Sequence, residues 1–466
     1  MTGEGASPTT RLQPQLDAGR FTGGMSPHEN HQIFPSMKTH RISFASGLLL
    51  LLAAIPVTAA NWPAFRYDGL GIAPEKSAPL KWSTTENVRW RAALPDAGNS
   101  SPIVWGNQVF ITQAQGEKRS VICLDRATGK QLWQQGVSYA EKDDTHETNP
   151  HASPTPVTDG ARVIAWFGSA GVVCYDLAGK ELWRRDLGKQ KHIWGYGSSP
   201  VLYQDLCLLH FGPGPRTFLI ALDKKTGEKV WQVDLPEKDP PVRYDGFAGK
   251  QGQPIGSWST PLILRGQRDE LVLSIVGEVR GFDPKTGREL WKADGLSPLV
   301  YTSAIVGEGV VFGSGGFGGS TVAVKAGGSG DLSNQKLWHV QKEKKNRISS
   351  GIITKGHVFL CNMDGVAQCI ELTTGKDKWQ ERLKGSGAKG EIWGSTIMVG
   401  DNIYVMNQSG ETFVFKASPE KLELVSVNAL GELSNSTPAV SNGELFIRTS
   451  KTLWCIGEGK QRGRFE

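Results

Sequence analysis

The chain repeats a short pattern in which a tight turn is followed, four residues after its glycine, by a tryptophan. Full copies occupy 125–133, 223–231, 283–291 and 371–379, a shorter copy occupies 176–183, and a looser one ends at Trp338. The acidic residue caps the turn, the glycine takes a positive φ, and the tryptophan packs its strand against a neighbouring sheet. Copies spaced by roughly 40–60 residues indicate stacked repeats of one small sheet.

A second pattern places a hydroxyl residue directly before the first strand of each unit. Short alternating strands, such as 108–112 and 358–361, lie between the two patterns. The pattern therefore predicts eight units. Its occurrences are Ser101-Pro102, Ser153-Pro154, Ser199-Pro200, Thr260-Pro261, Ser303-Ala304, Ser350-Gly351, Thr396-Ile397 and Thr437-Pro438.

The two ends of the array complement each other. The last unit stops after a third strand near 454–457, whereas 88–91 is a fourth strand with no unit of its own. We therefore predict an all-β fold, an eight-bladed β-propeller of four-stranded antiparallel blades, closed by an N-terminal strand that completes the last C-terminal blade. A degenerate unit near Leu424 supplies one blade. The repeat tryptophans, predicted to be structural, are Trp90, Trp133, Trp183, Trp231, Trp291, Trp338 and Trp379.

The residues before the ring predict an export signal. Segment 37–41 is basic, 47–57 is apolar and 58–60 is small, and the apolar run is short for a membrane span. A retained N-terminal anchor is the alternative. We expect 1–36 to be an over-extended, disordered start, 37–60 a signal peptide beginning at Met37, 61–86 a lead-in segment, 87–460 the propeller and 461–466 a tail. The predicted location is periplasmic or secreted, with no membrane span after signal removal.

Composition argues against several classes of function. The 52 Lys and Arg exceed the 46 Asp and Glu only slightly and do not cluster, so nucleic acid is not an expected partner. Six cysteines are too few for a disulfide scaffold, and four of them take positions where other units have Ala or Gly. A bridge in an oxidising compartment stays open. Loop 141–151 mixes acids with two histidines, but we predict a solvated loop and no metal site.

Written as A-x-D-x-x-T-G-x-x-x-W, the repeat resembles that of the pyrroloquinoline-quinone (PQQ)-like propellers of secreted bacterial type, over about residues 85–460. That family includes quinoprotein dehydrogenases and the propeller lipoprotein of the outer-membrane assembly machinery. The resemblance implies the fold. Quinoprotein alcohol dehydrogenases carry an adjacent cysteine pair beside the cofactor, and neither that pair nor an anchoring cysteine near residue 60 is present in this sequence.

A ligand site is expected at the mouth of the central channel. Each connection from a fourth strand to the next first strand crosses one face and ends at the axis, and the long stretch 235–258 should form a flap there. An aromatic funnel with one Arg and one His suits a flat, partly anionic ligand or a sugar, unless the residues simply fill the channel. The predicted site residues are Asn99, His151, Trp194, Tyr196, Trp258, Tyr301, Arg347, Trp393 and Asn435.

Three functions follow from these observations. We favour a non-catalytic extracytoplasmic module that binds an unknown small molecule or an envelope protein. The first alternative is a PQQ-dependent quinoprotein dehydrogenase that oxidises an alcohol or sugar, which would need PQQ and calcium as cofactors. Its catalytic residues are not identifiable in the sequence. The second alternative is an envelope assembly scaffold.

Overall fold

A computed structural model of the chain describes residues 60–239, 243–247, 254–343 and 345–458. Within these ranges the chain forms eight four-stranded antiparallel blades in a ring, so the predicted propeller is confirmed. The predicted start region, the signal segment before Ala60 and the tail 461–466 lie outside the described residues. None of the described segments forms a helix with the length and apolar character of a membrane span.

We number the blades 1 to 8 along the chain, and each blade is given below from its first to its fourth strand. Blades 1 to 4 contain Ile103–Trp105, Gln108–Gln115, Lys118–Asp125 and Gln131–Ser138; Val157–Thr158, Arg162–Trp166, Val172–Asp176 and Glu181–Arg185; Val201–Tyr203, Leu206–Phe211, Phe218–Asp223 and Lys229–Asp234; and Leu262–Leu264, Glu270–Ile275, Glu278–Phe282 and Glu289–Asp294.

The second half of the ring follows the same plan. Blades 5 to 8 contain Ile305–Gly307, Val310–Ser314, Thr321–Lys325 and Trp338–Val340; Ile352–Thr354, His357–Cys361, Val366–Glu371 and Asp377–Arg382; Ile397–Val399, Asn402–Met406, Glu411–Lys416 and Leu424–Ala429; and Ala439–Ser441, Glu444–Arg448, Thr452–Ile456 and Val88–Ala93. The last of these strands pairs Trp90 with Cys455, which confirms the predicted closure by an N-terminal strand.

Among the described residues, four short elements lie outside this plan. Gly330–Asp331 adds a parallel fifth strand to the rim of blade 4. Gly256–Ser257 pairs in parallel with Leu299–Val300, and Gly168–Ala170 is a single 3-10 turn.

The burial pattern follows the position of a strand in its blade. The third strand of blade 1 is buried almost throughout, because a radially stacked sheet is covered on both faces and its sequence is a continuous apolar run. The fourth strand of the same blade is largely exposed at the rim. First strands of neighbouring blades contact one another and therefore surround the axis. All six cysteines are buried, and none of them is bridged.

Most repeat tryptophans connect their blade to the next, although blade 7 has none and Trp231 Nε1 has no hydrogen-bond partner among the described residues. The Trp183 ring lies against Gly227 of the following turn, whose φ of +72° keeps the turn tight, and its Nε1 donates to Lys224 O at 3.1 Å. Trp291 differs, because its Nε1 donates to Glu270 of its own blade. Equivalent bonds to the carbonyl of the next blade run from Trp90 to Arg126, Trp133 to Leu177, Trp338 to Leu372 and Trp379 to Ser418.

The lead-in segment lies across one face of the ring. We call this the lower face; it carries the turns between first and second strands, and the fourth-to-first connections cross the upper face. Trp62 exchanges two backbone hydrogen bonds of 2.8 Å with Val104 of blade 1. Further along, Ala73 N donates to Met398 O of blade 7 at 2.8 Å. The segment therefore spans the lower end of the channel.

Candidate functional site

A circle of side-chain hydroxyls surrounds the channel axis. Seven of its eight hydroxyls accept a hydrogen bond of 2.8–3.0 Å from the backbone N–H of the equivalent residue in the preceding blade. The bonds link blades 1 to 8 in sequence, while Ser101 Oγ is buried with no partner among the described residues. The members of this hydroxyl circle are Ser101, Thr155, Ser199, Thr260, Ser303, Ser350, Ser395 and Thr437.

The circle differs from the expected pattern in two blades. Blade 2 uses Thr155 where the sequence pattern indicated Ser153, and blade 7 uses Ser395 where it indicated Thr396. The reason is local: S-P-T-P offers two equivalent hydroxyl–proline pairs, and S-T offers two adjacent hydroxyls. Only the hydrogen bonds between blades distinguish the alternatives.

A cavity of about 360 Å³ lies above the hydroxyl circle, on the side of the upper face. Every blade contributes to its lining the residue two positions before its circle hydroxyl. These residues are Asn99, Ser153, Gly197, Trp258, Tyr301, Ile348, Trp393 and Asn435. We call this space the upper cavity.

Six of the nine predicted site residues line the upper cavity, and three do not. The six are Asn99, Trp194, Trp258, Tyr301, Trp393 and Asn435. Tyr196 instead packs on Trp166 at 5.0 Å and donates to His151 O at 2.9 Å, behind the wall. Fully buried Arg347 bonds Glu343 at 2.8 Å and Gln368 at 3.1 Å. Whether any of the nine binds a ligand stays a prediction.

Aromatic side chains form one wall of the upper cavity. Trp258 stacks on Tyr301 with ring centroids 4.8 Å apart, and Trp194 and Phe317 complete the cluster. Trp258 is fixed further because its Nε1 donates to Gly195 O at 3.0 Å. The wall is therefore a rigid aromatic surface.

A neutral histidine supports the aromatic wall from behind. The His192 ring meets Trp258 edge-on at 4.8 Å. Its Nδ1 accepts from Trp194 N and its Nε2 lies 3.1 Å from Ile255 O, so Nε2 carries the proton. Burial lowers the pKa of His192 to about 4, which keeps the ring uncharged at neutral pH.

Amides and carbonyls form the opposite wall, of which the repeat pattern predicted Asn99 and Asn435 but not Thr148 and Asn149. The long connection after blade 1 turns inward, so that Thr148 O accepts from Asn99 Nδ2 at 2.8 Å and from Asn435 Nδ2 at 3.2 Å. Asn149 Nδ2 donates to Trp194 O at 2.6 Å. His146 also lines the cavity. The unusual length of this connection was the one available sequence signal.

The part of the predicted flap that the structure describes also reaches the aromatic cluster. Phe247 lies 6.1 Å from Trp194 and 6.2 Å from Phe317. Two residues earlier, Asp245 accepts from buried Arg243 at 2.6 Å. Arg243 also donates to Pro254 O at 2.8 Å and to Asp239 at 3.0 Å, which connects the segment 243–247 to the described chain on both sides.

The charge of the site follows from its lining. Among the described residues that line the upper cavity there is no Lys, Arg, Asp or Glu. Two acids of the inward connection have partners elsewhere, since Asp143 accepts from Ser169 Oγ at 2.7 Å and Glu141 pairs with Lys189. In the described part of the chain, no three His, Cys, Asp or Glu residues are grouped to hold a metal ion. The cavity is therefore suited to an uncharged ligand.

The sequence matches the PQQ_2 family, described as outer membrane protein assembly factor BamB, over residues 80–194 and 215–463. The chain belongs to this family. Two curated proteins are similar to parts of this PQQ_2 propeller. The 1-butanol dehydrogenase (quinone) of Thauera butanivorans is 24% identical over 248 residues, which cover 47% of this chain and 38% of the relative. Quinoprotein glucose dehydrogenase A of Acinetobacter calcoaceticus is 23% identical over 312 residues, which cover 51% and 38%.

The PQQ_2 propeller thus spans less than two fifths of the length of either relative. Among solved structures, quinohemoprotein alcohol dehydrogenase from Comamonas testosteroni superimposes with a TM-score of 0.62 at 12% identity, covering 87% of this chain and 82% of that one. BamB from Moraxella catarrhalis superimposes with a TM-score of 0.55 at 13% identity, covering 81% and 99%. At these identities the likeness shows the fold alone.

Proposed function

We propose that this propeller is an extracytoplasmic binding protein whose upper cavity takes an uncharged, polyhydroxylated ligand of the size of a mono- or disaccharide. One observation carries the proposal: an aromatic wall faces an amide wall across a cavity whose described lining bears no charged Lys, Arg, Asp or Glu. The extracytoplasmic location rests on the predicted signal segment 37–60.

The chemistry of the two walls supports a sugar. The flat faces of Trp258 and Tyr301 can cover the C–H face of a pyranose, while amide and hydroxyl groups satisfy its hydroxyls. A volume of about 360 Å³ is at the small end of the usual range for small-molecule sites, which is roughly 300–1,000 Å³. A charged ligand would lose its hydration without gaining a counter-charge.

PQQ fits the described lining less well. The wall is aromatic, but PQQ is a polycarboxylate, and the guanidinium predicted for the site, that of Arg347, is already paired with Glu343. The described residues also provide no grouped carboxylates for calcium. The residues present therefore do not fit this cofactor, and we derive no redox step through it.

Calorimetric titration tests the proposal. The probes are glucose, galactose, N-acetylglucosamine, maltose and cellobiose, with glucuronate as a charged analogue and PQQ with Ca²⁺ as the alternative ligand. We expect a neutral sugar to bind, and Trp258→Ala to weaken binding about tenfold or more, which is about 1.4 kcal/mol. Trp105→Ala, which removes a half-buried tryptophan outside the cavity lining, is the matched control. Binding of PQQ alone, or of no neutral sugar, would overturn the proposal.

A second candidate is a protein-binding role, because the family match is to an assembly factor. Two exposed apolar side chains lie in upper-face connections, Ile193 at 57% and Leu433 at 49% exposure. A photo-crosslinking residue at Ile193 should then capture an envelope protein in cells. The same residue at Val230, which is 52% exposed on the rim, is the control. Equal capture at both positions would count against an upper-face partner.

A further inference from the structure

One residue of the lead-in segment lines the upper cavity from the side of the lower face. Phe65 lines the upper cavity and also a second cavity of about 1020 Å³ on the lower face. Apart from Phe65, Thr260 of the hydroxyl circle is the one residue found in both linings. Phe65 therefore lies between the two spaces.

The chain on both sides of Phe65 is firmly attached to the ring of blades. Before it, Pro63 O accepts from Thr158 N of blade 2 at 2.9 Å. After it, Arg66 is fully buried and takes a φ of +54°, a conformation that a side chain adopts only when its surroundings hold it there.

The Arg66 guanidinium supplies that hold. It donates to Thr396 O of blade 7 at 3.2 Å and to Gly351 O of blade 6. It also donates to Gly69 O and Leu70 O, both at 3.0 Å, within its own turn. Blades 2, 6 and 7 thus fix the backbone on both sides of Phe65.

We propose that Phe65 sets the depth of the upper cavity and makes it a site for the end of a saccharide chain. This inference rests on the proposed function. With the channel divided, a ligand enters from the upper face alone, and its innermost sugar ring stops at Phe65. Further rings extend toward solvent, where they meet few groups of the cavity and add little affinity.

The length dependence of binding tests this inference. The probes are maltose against maltohexaose and cellobiose against cellohexaose. In the wild type we expect di- and hexasaccharide of a series to bind within about twofold of each other, because the added rings gain few contacts. In Phe65→Ala the longer chain can pass into the lower cavity, and we expect it to bind about tenfold more tightly than the disaccharide.

Two further variants are controls. Phe65→Leu keeps an apolar floor and should keep the wild-type length dependence. Tyr67→Ala alters a residue that lines the lower cavity but not the upper one, and it should also keep that dependence. A tenfold preference for the longer chain in the wild type, or the same preference in all three variants, would overturn the role of Phe65.

A ligand-free crystal structure of Phe65→Ala separates this inference from the proposed function. We expect one continuous channel from the upper face to the lower cavity. If a neighbouring side chain fills the gap and the channel stays divided, the role of Phe65 is refuted. If the channel is continuous but neither wild type nor variant binds any saccharide, the proposed function fails while Phe65 remains the floor.

Discussion

Substitution of Gly227 by alanine tests how the blades are joined. Gly227 has a φ of +72°, and a Cβ there would lie 2.5 Å from the Trp183 ring of the preceding blade. Gly356 has nearly the same φ of +71°, but a Cβ there would meet nothing within 4 Å. The two substitutions therefore share the backbone strain and differ in the contact with tryptophan.

The expected losses of stability follow from the backbone strain and from the overlap with the Trp183 ring. Left-handed backbone strain costs a residue with a Cβ about 1–2 kcal/mol, and this is the whole cost expected for Gly356→Ala. Gly227→Ala must also displace the buried ring, and overpacking of that kind costs about 1–3 kcal/mol more. We therefore expect Gly227→Ala to lower the free energy of unfolding by the larger amount, measured by urea unfolding of both variants.

The Trp183→Ala background provides the decisive comparison. Removal of the ring should itself cost about 3–5 kcal/mol, since it truncates a buried aromatic side chain. In that background Gly227→Ala should lose its extra cost and resemble Gly356→Ala, because the ring that it overlaps is gone. Equal losses of stability for the two glycine substitutions in the wild type would refute this account of the contact between blades. An unchanged difference between those losses in the Trp183→Ala background would refute it as well.

Two other predictions concern stability. Burial lowers the pKa of both His192 and His210 to about 4, below the ordinary 6.5, so the stability that the neutral rings contribute is complete above about pH 6.5 and is lost as the pH falls toward 4. His210→Asn should reduce the loss of stability between about pH 6.5 and pH 4, measured as the urea midpoint of unfolding at each pH. An unchanged dependence of the midpoint on pH would contradict this prediction. Arg448→Met should destabilise the junction of blades 8 and 1 by about 1–3 kcal/mol for each buried partner left unpaired, among them Ser100 and Gln113. Arg184→Met is the control, because Arg184 forms an exposed ion pair whose loss should cost less than about 1 kcal/mol. Equal losses of stability in the two variants would contradict the role given to Arg448.

The fold was predictable because its signals are local and repeated. A turn, a positive-φ glycine and a tryptophan recur in most blades, and the unmatched strands at the two ends indicate closure. The repeat did not determine in every blade which hydroxyl residue precedes the first strand. In blade 2 the S-P-T-P segment is ambiguous, and the bonded residue is Thr155.

The site was predictable as far as the repeat extends. Counting back from the circle hydroxyl finds a cavity residue in every blade once the hydrogen-bonded hydroxyl is used. Tyr196 and Arg347 were predicted in place of Gly197 and Ile348 because they have the larger side chains, but neighbours on an extended chain point to opposite sides. Tyr196 beside Gly197 and Arg347 beside Ile348 therefore lie behind the wall.

The remaining contributors come from segments outside the repeat. Thr148 and Asn149 belong to a long connection, and Phe65 belongs to the lead-in segment. These residues do not recur from blade to blade, so their position at the axis depends on tertiary hydrogen bonds such as that from Asn99 Nδ2 to Thr148 O. Such bonds leave no pattern in one sequence.

The most direct test of the account is a crystal structure of the protein with the best-binding neutral saccharide at saturating concentration. The account predicts a sugar ring in the upper cavity, with its C–H face on Trp258 or Tyr301 and its hydroxyls bonded to the wall of Asn99, Asn149 and Asn435. A saccharide bound elsewhere on the propeller while the upper cavity holds none would contradict it.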